Sequence, residues 1–192
     1  MHDVRDWPGN RVGEELRRVC AERRLRQRRR RRTMICGLAA ASSALSLIWT
    51  PPLLFVWNAS ASSPEGLYRV DRSRPMRRGD TAIAWPPPGA RQLAARRRYL
   101  PASVPLVKNV AATSGERICA IGRRVTIDGR RTALRQSRDR SGRQLPWWTG
   151  CIRLRPGQLF LLSPNMDAFD GRYFGVTRAS DLIGSGKLLW RR

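Results

Sequence analysis

The chain has 192 residues, room for one ordinary domain plus a tail and an anchor, and its 38 basic and 14 acidic residues give a formal net charge of +24. Thirty-six of the basic residues are Arg, two are Lys (Lys108 and Lys187), and the single His is His2. One His excludes Ser-His-Asp and Cys-His catalysis and any metal site built from several His, so a hydrolase on this chain needs Lys, Asp or Glu as its base, and no metal or cofactor is expected.

Residues 1–33 carry twelve Arg against five acids and end in a dense basic run from Arg23 to Arg32. They read as a basic cytoplasmic tail, with a nucleic-acid arm as the alternative. Glu14 to Arg32 can be helical, but no apolar stripe would dock such a helix. Met34 follows directly and offers a second point of initiation. Residues 34–57 carry no charge over 24 positions. As a helix they would reach roughly 36 Å at about 1.5 Å per residue, enough to cross a bilayer. Pro51-Pro52 must kink or end that helix, and Trp49 and Trp57 suit an interfacial belt. The Arg cluster puts the N-terminus in the cytoplasm and residues 58–192 across the membrane. The expectation is therefore a single-pass signal anchor over 34–57. A cleaved signal peptide is the alternative, since Asn58-Ala59-Ser60-Ala61 resembles a small-residue cleavage site.

Beyond residue 58 the pattern changes to short β-like runs split by Gly, Pro and Asp: 66–70, 81–85, 106–111, 117–121, 124–127, 158–162 and 187–190. Asp128-Gly129 is a hairpin turn signal, Pro86-Pro87-Pro88-Gly89 ends a strand, and 89–100 is a short helix or a loop. The prediction is a mostly-β domain of 58–192, with 26 basic and 9 acidic residues. Cys119 and Cys151 both fall in it, where an oxidising exterior permits a disulfide; two buried thiols are the other reading. Leu145-Pro146-Trp147-Trp148 can dip into a lipid leaflet or pack in the core.

Two segments carry chemistry. Asn58-Ala59-Ser60-Ala61-Ser62-Ser63-Pro64-Glu65-Gly66 places three serines ahead of a fixed turn, either as a linker or to present one hydroxyl. Val104-Pro105-Leu106-Val107-Lys108-Asn109-Val110-Ala111 surrounds one Lys with apolar residues. Burial there would lower the Lys108 pKa and let it take a proton from a Ser hydroxyl; a Lys reaching out to water is the alternative.

Four segments, in order, resemble the boxes of the signal peptidase I superfamily of membrane-anchored Ser/Lys proteases. They are Ser60-Ala61-Ser62 followed by Pro64, Arg78-Gly79-Asp80-Thr81-Ala82-Ile83-Ala84, Lys108-Asn109-Val110-Ala111-Ala112-Thr113-Ser114-Gly115-Glu116, and Asp167-Ala168-Phe169-Asp170-Gly171-Arg172-Tyr173-Phe174-Gly175. Together they cover essentially the whole of 58–192. The string Asn-x-Ser-x-Ser-x-Pro-x-Gly-Leu-Tyr is similar to the conjugative transfer signal peptidases of the TraF type, as are the positions of Cys119 and Gly150-Cys151. Asn109 and Ser114 depart from the usual Arg and Pro, and Ala168 stands where many members have Ser.

The resemblance implies a signal-peptidase-like domain of coiled antiparallel sheets behind one transmembrane helix. Carried over by position, Ser62 is the nucleophile and Lys108 the base, with Asp170 as a third catalytic residue. Ser60 and the Ser62 N–H become oxyanion donors, and Arg172 supports Asp170. Ser63 falls out of phase. The implied substrate is a preprotein or prepilin with small residues before the cleaved bond. The implied partners are the bacterial inner membrane and the conjugative pilus machinery, with no specific nucleic acid. A general signal peptidase is the nearest alternative, and a membrane-tethered basic DNA-binding protein is the alternative of another class.

Overall fold

The computed structural model describes residues 8–48 and 51–192 and divides the chain into two units, 1–52 and 53–192. In the first unit, α1 spans Pro8–Ile48 as a single helix. It carries the basic run straight into the charge-free segment, and its described side chains are all exposed. The absence of a dockable apolar stripe, read in the sequence, accounts for that exposure.

The expected anchor over 34–57 is not one element. Among the described residues no helix is long and apolar enough to cross a membrane. The helical part of the charge-free stretch, 34–48, would extend only roughly 22 Å at about 1.5 Å per residue. Trp49, expected in an interfacial belt, lies outside the described residues, as does His2. Pro51 and Pro52 contribute no N–H to a helix, and the chain then turns to strand: β1 is Phe55–Asn58. Val56 and Asn58 point inward, while Phe55 and Trp57 stay exposed. Strand geometry wins here because burying Val56 with Tyr68, Val70, Ile83 and Val107 requires the two-residue alternation.

The second unit is mostly β, with every pairing of its named strands antiparallel. After β1 come β2 (Gly66–Asp71), β3 (Thr81–Ala84), helix α2 (Pro88–Arg96) and β4 (Leu106–Ala112). Then follow β5 (Arg117–Ile121), β6 (Arg124–Ile127), β7 (Arg130–Leu134), β8 (Gly150–Arg153) and β9 (Gln158–Leu162). The one-turn helix α3 (Gly171–Phe174), β10 (Thr177–Arg178) and β11 (Leu182–Arg191) complete it. A seven-stranded sheet has the order β1-β2-β11-β3-β4-β9-β10, and a four-stranded sheet the order β7-β6-β5-β8. The expected coiled antiparallel domain is thus present, built of more strands than the seven apolar runs.

Ile118, Ala120, Val125 and Ile127 of the smaller sheet pack with Ala112, Leu154, Phe160 and Leu162 in one core cluster. The disulfide Cys119–Cys151 ties β5 to β8 at directly opposed positions. Asp128 and Gly129, with φ of 47° and 78°, make the predicted hairpin turn between β6 and β7. Trp148 turns inward, edge-on to Phe160, and donates its Nε1–H to the Gly171 carbonyl at 3.1 Å. Trp147 is 38% exposed and covers the buried Arg135 guanidinium at 4.4 Å. The Trp pair therefore serves the core and its lid.

Gly66 shows how tightly the first strands are set. Its φ is +148°, and a Cβ there would lie 2.0 Å from the Trp190 carbonyl oxygen, backbone that cannot swing aside. Gly66→Ala is expected to destabilise the domain by about 2 kcal/mol or more. In urea unfolding this reads as a lower midpoint at unchanged slope.

Candidate functional site

The serine segment is the connection between β1 and β2, and Asn58 fixes its shape. The Asn58 Nδ2 donates to the carbonyls of Ser60 (3.0 Å), Ser63 (3.0 Å) and Pro64 (3.1 Å), and its Oδ1 accepts the Ser60 N–H at 3.1 Å. One side chain thus ties three carbonyls and one N–H of the loop together, which is how a short, Ser-rich stretch holds a single form instead of behaving as a linker. The Tyr68 hydroxyl adds a bond to the Pro64 carbonyl at 2.8 Å.

Lys108 enters from β4, where it sits opposite Ala82 of β3. Asp80, at the head of β3, accepts from Arg74 and from the Arg77 N–H and so closes the turn that leads into that strand. Strands on both sides of β4 leave Lys108 only 3% exposed, and its Nζ donates to the Ser62 Oγ. Burial lowers its pKa to about 8; the charge of Asp170 opposes that shift and the charge of Arg172 adds to it. The Ser60 Oγ donates to the Ser62 Oγ at 2.9 Å and accepts the Ser62 N–H at 3.3 Å. Ser63, by contrast, donates its hydroxyl to the Val107 carbonyl at 2.7 Å. Its proton is committed to β4, whereas the Ser62 hydroxyl meets the amine.

Asp170 and Arg172 lie behind this pair, at the start of α3. Asp170 is fully buried and takes four N–H donors: Arg172 Nε (2.8 Å), Arg172 Nη2 (3.0 Å), the Arg172 backbone (3.1 Å) and the Ser163 backbone (2.8 Å). Burial pushes its carboxyl upward, and the Arg172 charge and hydrogen bonds oppose that. Among the described residues Asp170 makes no hydrogen bond to Lys108 or Ser62. It reaches the nucleophile segment through Ser163, whose Oγ donates to the Ser62 carbonyl and whose own carbonyl accepts from Arg172 at 2.6 Å. Asp170 therefore stands here as a buried brace reached through a relay.

Sequence reasoning brought Ser60, Ser62, Lys108, Asp170 and Arg172 to one place. It gave Asn58 no role and did not notice Ser163. Asn58 opens the serine string and so carried a positional signal; Ser163, in Leu162-Ser163-Pro164, carried none. Cys119 and Cys151 are remote from the pair, in the smaller sheet.

Ser62 stands where two depressions meet. One, of about 450 Å³, is lined near the serine by Ala61, Val107, Lys108 and Ala168; the other, of about 420 Å³, by Ser63, Pro64, Asn109 and Pro164. The arrangement offers a hydroxyl, a shielded amine to take its proton, two donors beside the hydroxyl, and space for an extended chain on either side. No group of His, Cys, Asp and Glu able to hold a metal occurs among the described residues.

Comparison with known proteins finds one family model and several named relatives. The family model for signal peptidases, peptidase S26, matches residues 28–191. A probable conjugal transfer protein TraF of Sinorhizobium fredii is 33% identical over 172 aligned positions, covering 82% of this chain and 89% of that protein. The conjugal transfer protein TraF of Agrobacterium fabrum is 35% identical over 137 positions, covering 66% of this chain and 77% of its own length.

The buried amine gives a stability signature independent of any substrate. The unfolded chain keeps the Lys108 proton up to about pH 10.4, while the folded chain releases it near pH 8. Below about 8 the fold carries a buried ammonium; between 8 and 10.4 the unfolded state binds more protons, so stability rises with pH. Lys108→Met is therefore expected to be more stable than wild type at pH 6–7 by up to about 3 kcal/mol. That advantage should shrink as pH rises from 8 to 10. Urea midpoints measured across that range test it, and parallel curves for the two proteins would refute the buried cation.

Proposed function

The chain belongs to the signal peptidase family, peptidase S26, and on that footing we propose that it is a serine endopeptidase that matures a precursor protein for conjugative transfer. The single observation that carries this reading is the hydrogen bond between the buried Lys108 Nζ and Ser62 Oγ at the junction of two depressions. Neutral Lys108 takes the Ser62 proton as the Ser62 Oγ attacks the scissile carbonyl. On attack the Ser60 hydroxyl and the Ser62 N–H turn from their bonds to the Ser62 Oγ and the Ser60 Oγ toward the tetrahedral oxyanion, a contribution of roughly 3–4 kcal/mol per donor. The amine leaves with a proton returned from Lys108, and water then attacks the ester under the same base. Asp170, Arg172 and Ser163 hold the nucleophile's backbone in place.

The substrate in this reading is a preprotein or prepilin with small residues ahead of the cleaved bond. Ala61 and Ala168, which line the same depression as Ser62, support it, and the names of the TraF relatives support conjugation as the setting. In this reading the β unit lies on the outer face of the bacterial inner membrane, and the charge-free residues 34–54 that follow the Arg23–Arg32 cluster support it.

Incubating the detergent-extracted protein with candidate precursors, read by mass spectrometry, tests the proposal. Wild type should cut at one bond. Ser62→Ala and Lys108→Arg should lose at least about 10³-fold in rate, since Arg cannot release its proton near neutrality, and Ser63→Ala should still cut. Because the base must be neutral, kcat/KM should rise with pH through about 8 and then level. Full activity of Ser62→Ala would end this reading.

A further inference from the structure

The larger depression changes character along its length. Beside Ser62 it is lined by Ala61, Val107 and Ala168 together with Lys108, whereas its outer wall is formed by Arg97, Arg98, Arg140 and Arg143, with Asp139 and Asp167 as its acids. Most of that wall is already tied down. Arg143 Nε donates to Asp139 Oδ2 at 2.7 Å, Arg140 pairs with Asp167, and Arg97 donates to the Gln144 carbonyl at 2.7 Å and to the Tyr99 hydroxyl at 3.3 Å. Tyr99 in turn donates to Asp139 and packs on Phe169 at 5.3 Å, which anchors this wall to the segment bearing Asp170. Four guanidinium groups against two carboxylates leave the wall cationic.

Arg98 is the exception. It is exposed, and its guanidinium has no hydrogen-bond or ion-pair partner among the described residues. Its backbone sits at φ 58°, in the left-handed region, one residue past the Arg97 cap of α2, and closes the helix by donating its N–H to the Ala95 carbonyl at 3.1 Å. That position ordinarily takes glycine, because a Cβ is strained there. A long cation that lines the cleft from a strained backbone, with its charge unspent, is not explained by the fold.

We infer that the outer wall is an acid-accepting subsite, in which Arg98 pairs with a Glu or Asp side chain of the bound precursor at a position away from the cleaved bond. The inference rests on the peptidase reading above and adds a rule of substrate choice to it: small residues at the bond, a carboxylate further along. A planar guanidinium suits a carboxylate in two parallel hydrogen bonds. Its fixed neighbours Arg97 and Arg143 add charge without competing for the same geometry.

The test uses the full chain in detergent and a set of peptides built on one small-residue cleavage sequence. Glu, Gln or Lys is placed in turn at each position on both sides of the bond. Binding is read by fluorescence anisotropy on the Ser62→Ala protein, and cleavage by mass spectrometry on the Ser62-intact protein. At one position Glu should be favoured over Lys by about tenfold or more, and the preference should weaken with added salt. Arg98→Gln should bring the Glu-to-Lys ratio close to one, and Arg98→Glu should reverse it. Arg98→Gly should lose the preference while melting about 2 °C higher, which separates loss of the subsite from loss of the fold. Equal binding of Glu and Lys at every position, a preference that survives Arg98→Gln, or no binding of any peptide would overturn the inference. Glu-selective binding without cleavage would uphold the subsite and sink the peptidase reading; cleavage without charge preference would do the reverse.

Discussion

An amine withdrawn from water is the constraint around which the β unit is arranged. Lys108 can lose its proton near neutrality only if its surroundings are dry, and dryness on a small sheet requires strands on both sides and covered faces. β3 and β9 flank β4, and the loop that carries Ser62 closes over the amine. The hydrophobic clusters on the large sheet thus do two things at once. They supply the burial that stabilises the fold, and they strip solvent from the one group whose chemistry depends on its absence.

The polar parts of the site compensate for that dryness. A buried carboxylate is costly unless its oxygens are satisfied, and Asp170 is satisfied by four N–H groups from residues within seven positions of it in sequence. Locality matters, because such a cluster can be rigid without long-range help. Its rigidity is then exported to the nucleophile segment by a single hydroxyl, that of Ser163. Asn58 performs the same task from the other side. The Ser62 segment is therefore held by two braces, one at the end of β1 and the other in the segment that follows β9.

Much of this was legible in the residues. The lack of a usable His, a lone Lys among apolar neighbours, and serines before a Pro-x-Gly turn led to the pair that the structure brings into contact. Most central strands were visible as apolar runs. Three kinds of feature were not. β1 was hidden inside a continuous apolar stretch, where length alone suggested a helix and periodicity was silent. β7, Arg-Arg-Thr-Ala-Leu, has no alternation because it is an edge strand with both faces largely wet. Ser163 and the outer arginine wall depend on tertiary neighbours, which no local pattern encodes. Trp147 and Trp148 were readable as core or as lipid contact, and only the position of Arg135 decides between these.

The strand order bears on when the candidate site can form. β11 is the latest strand in the chain, yet it lies between β2 and β3 in the large sheet. The hairpin that leads from the serine loop and the strands that hold the lysine have no backbone ladder joining them until β11 inserts. Both halves of the candidate site therefore precede, by many residues, the strand that aligns them. A chain of this topology completes its candidate site only when its last strand has paired.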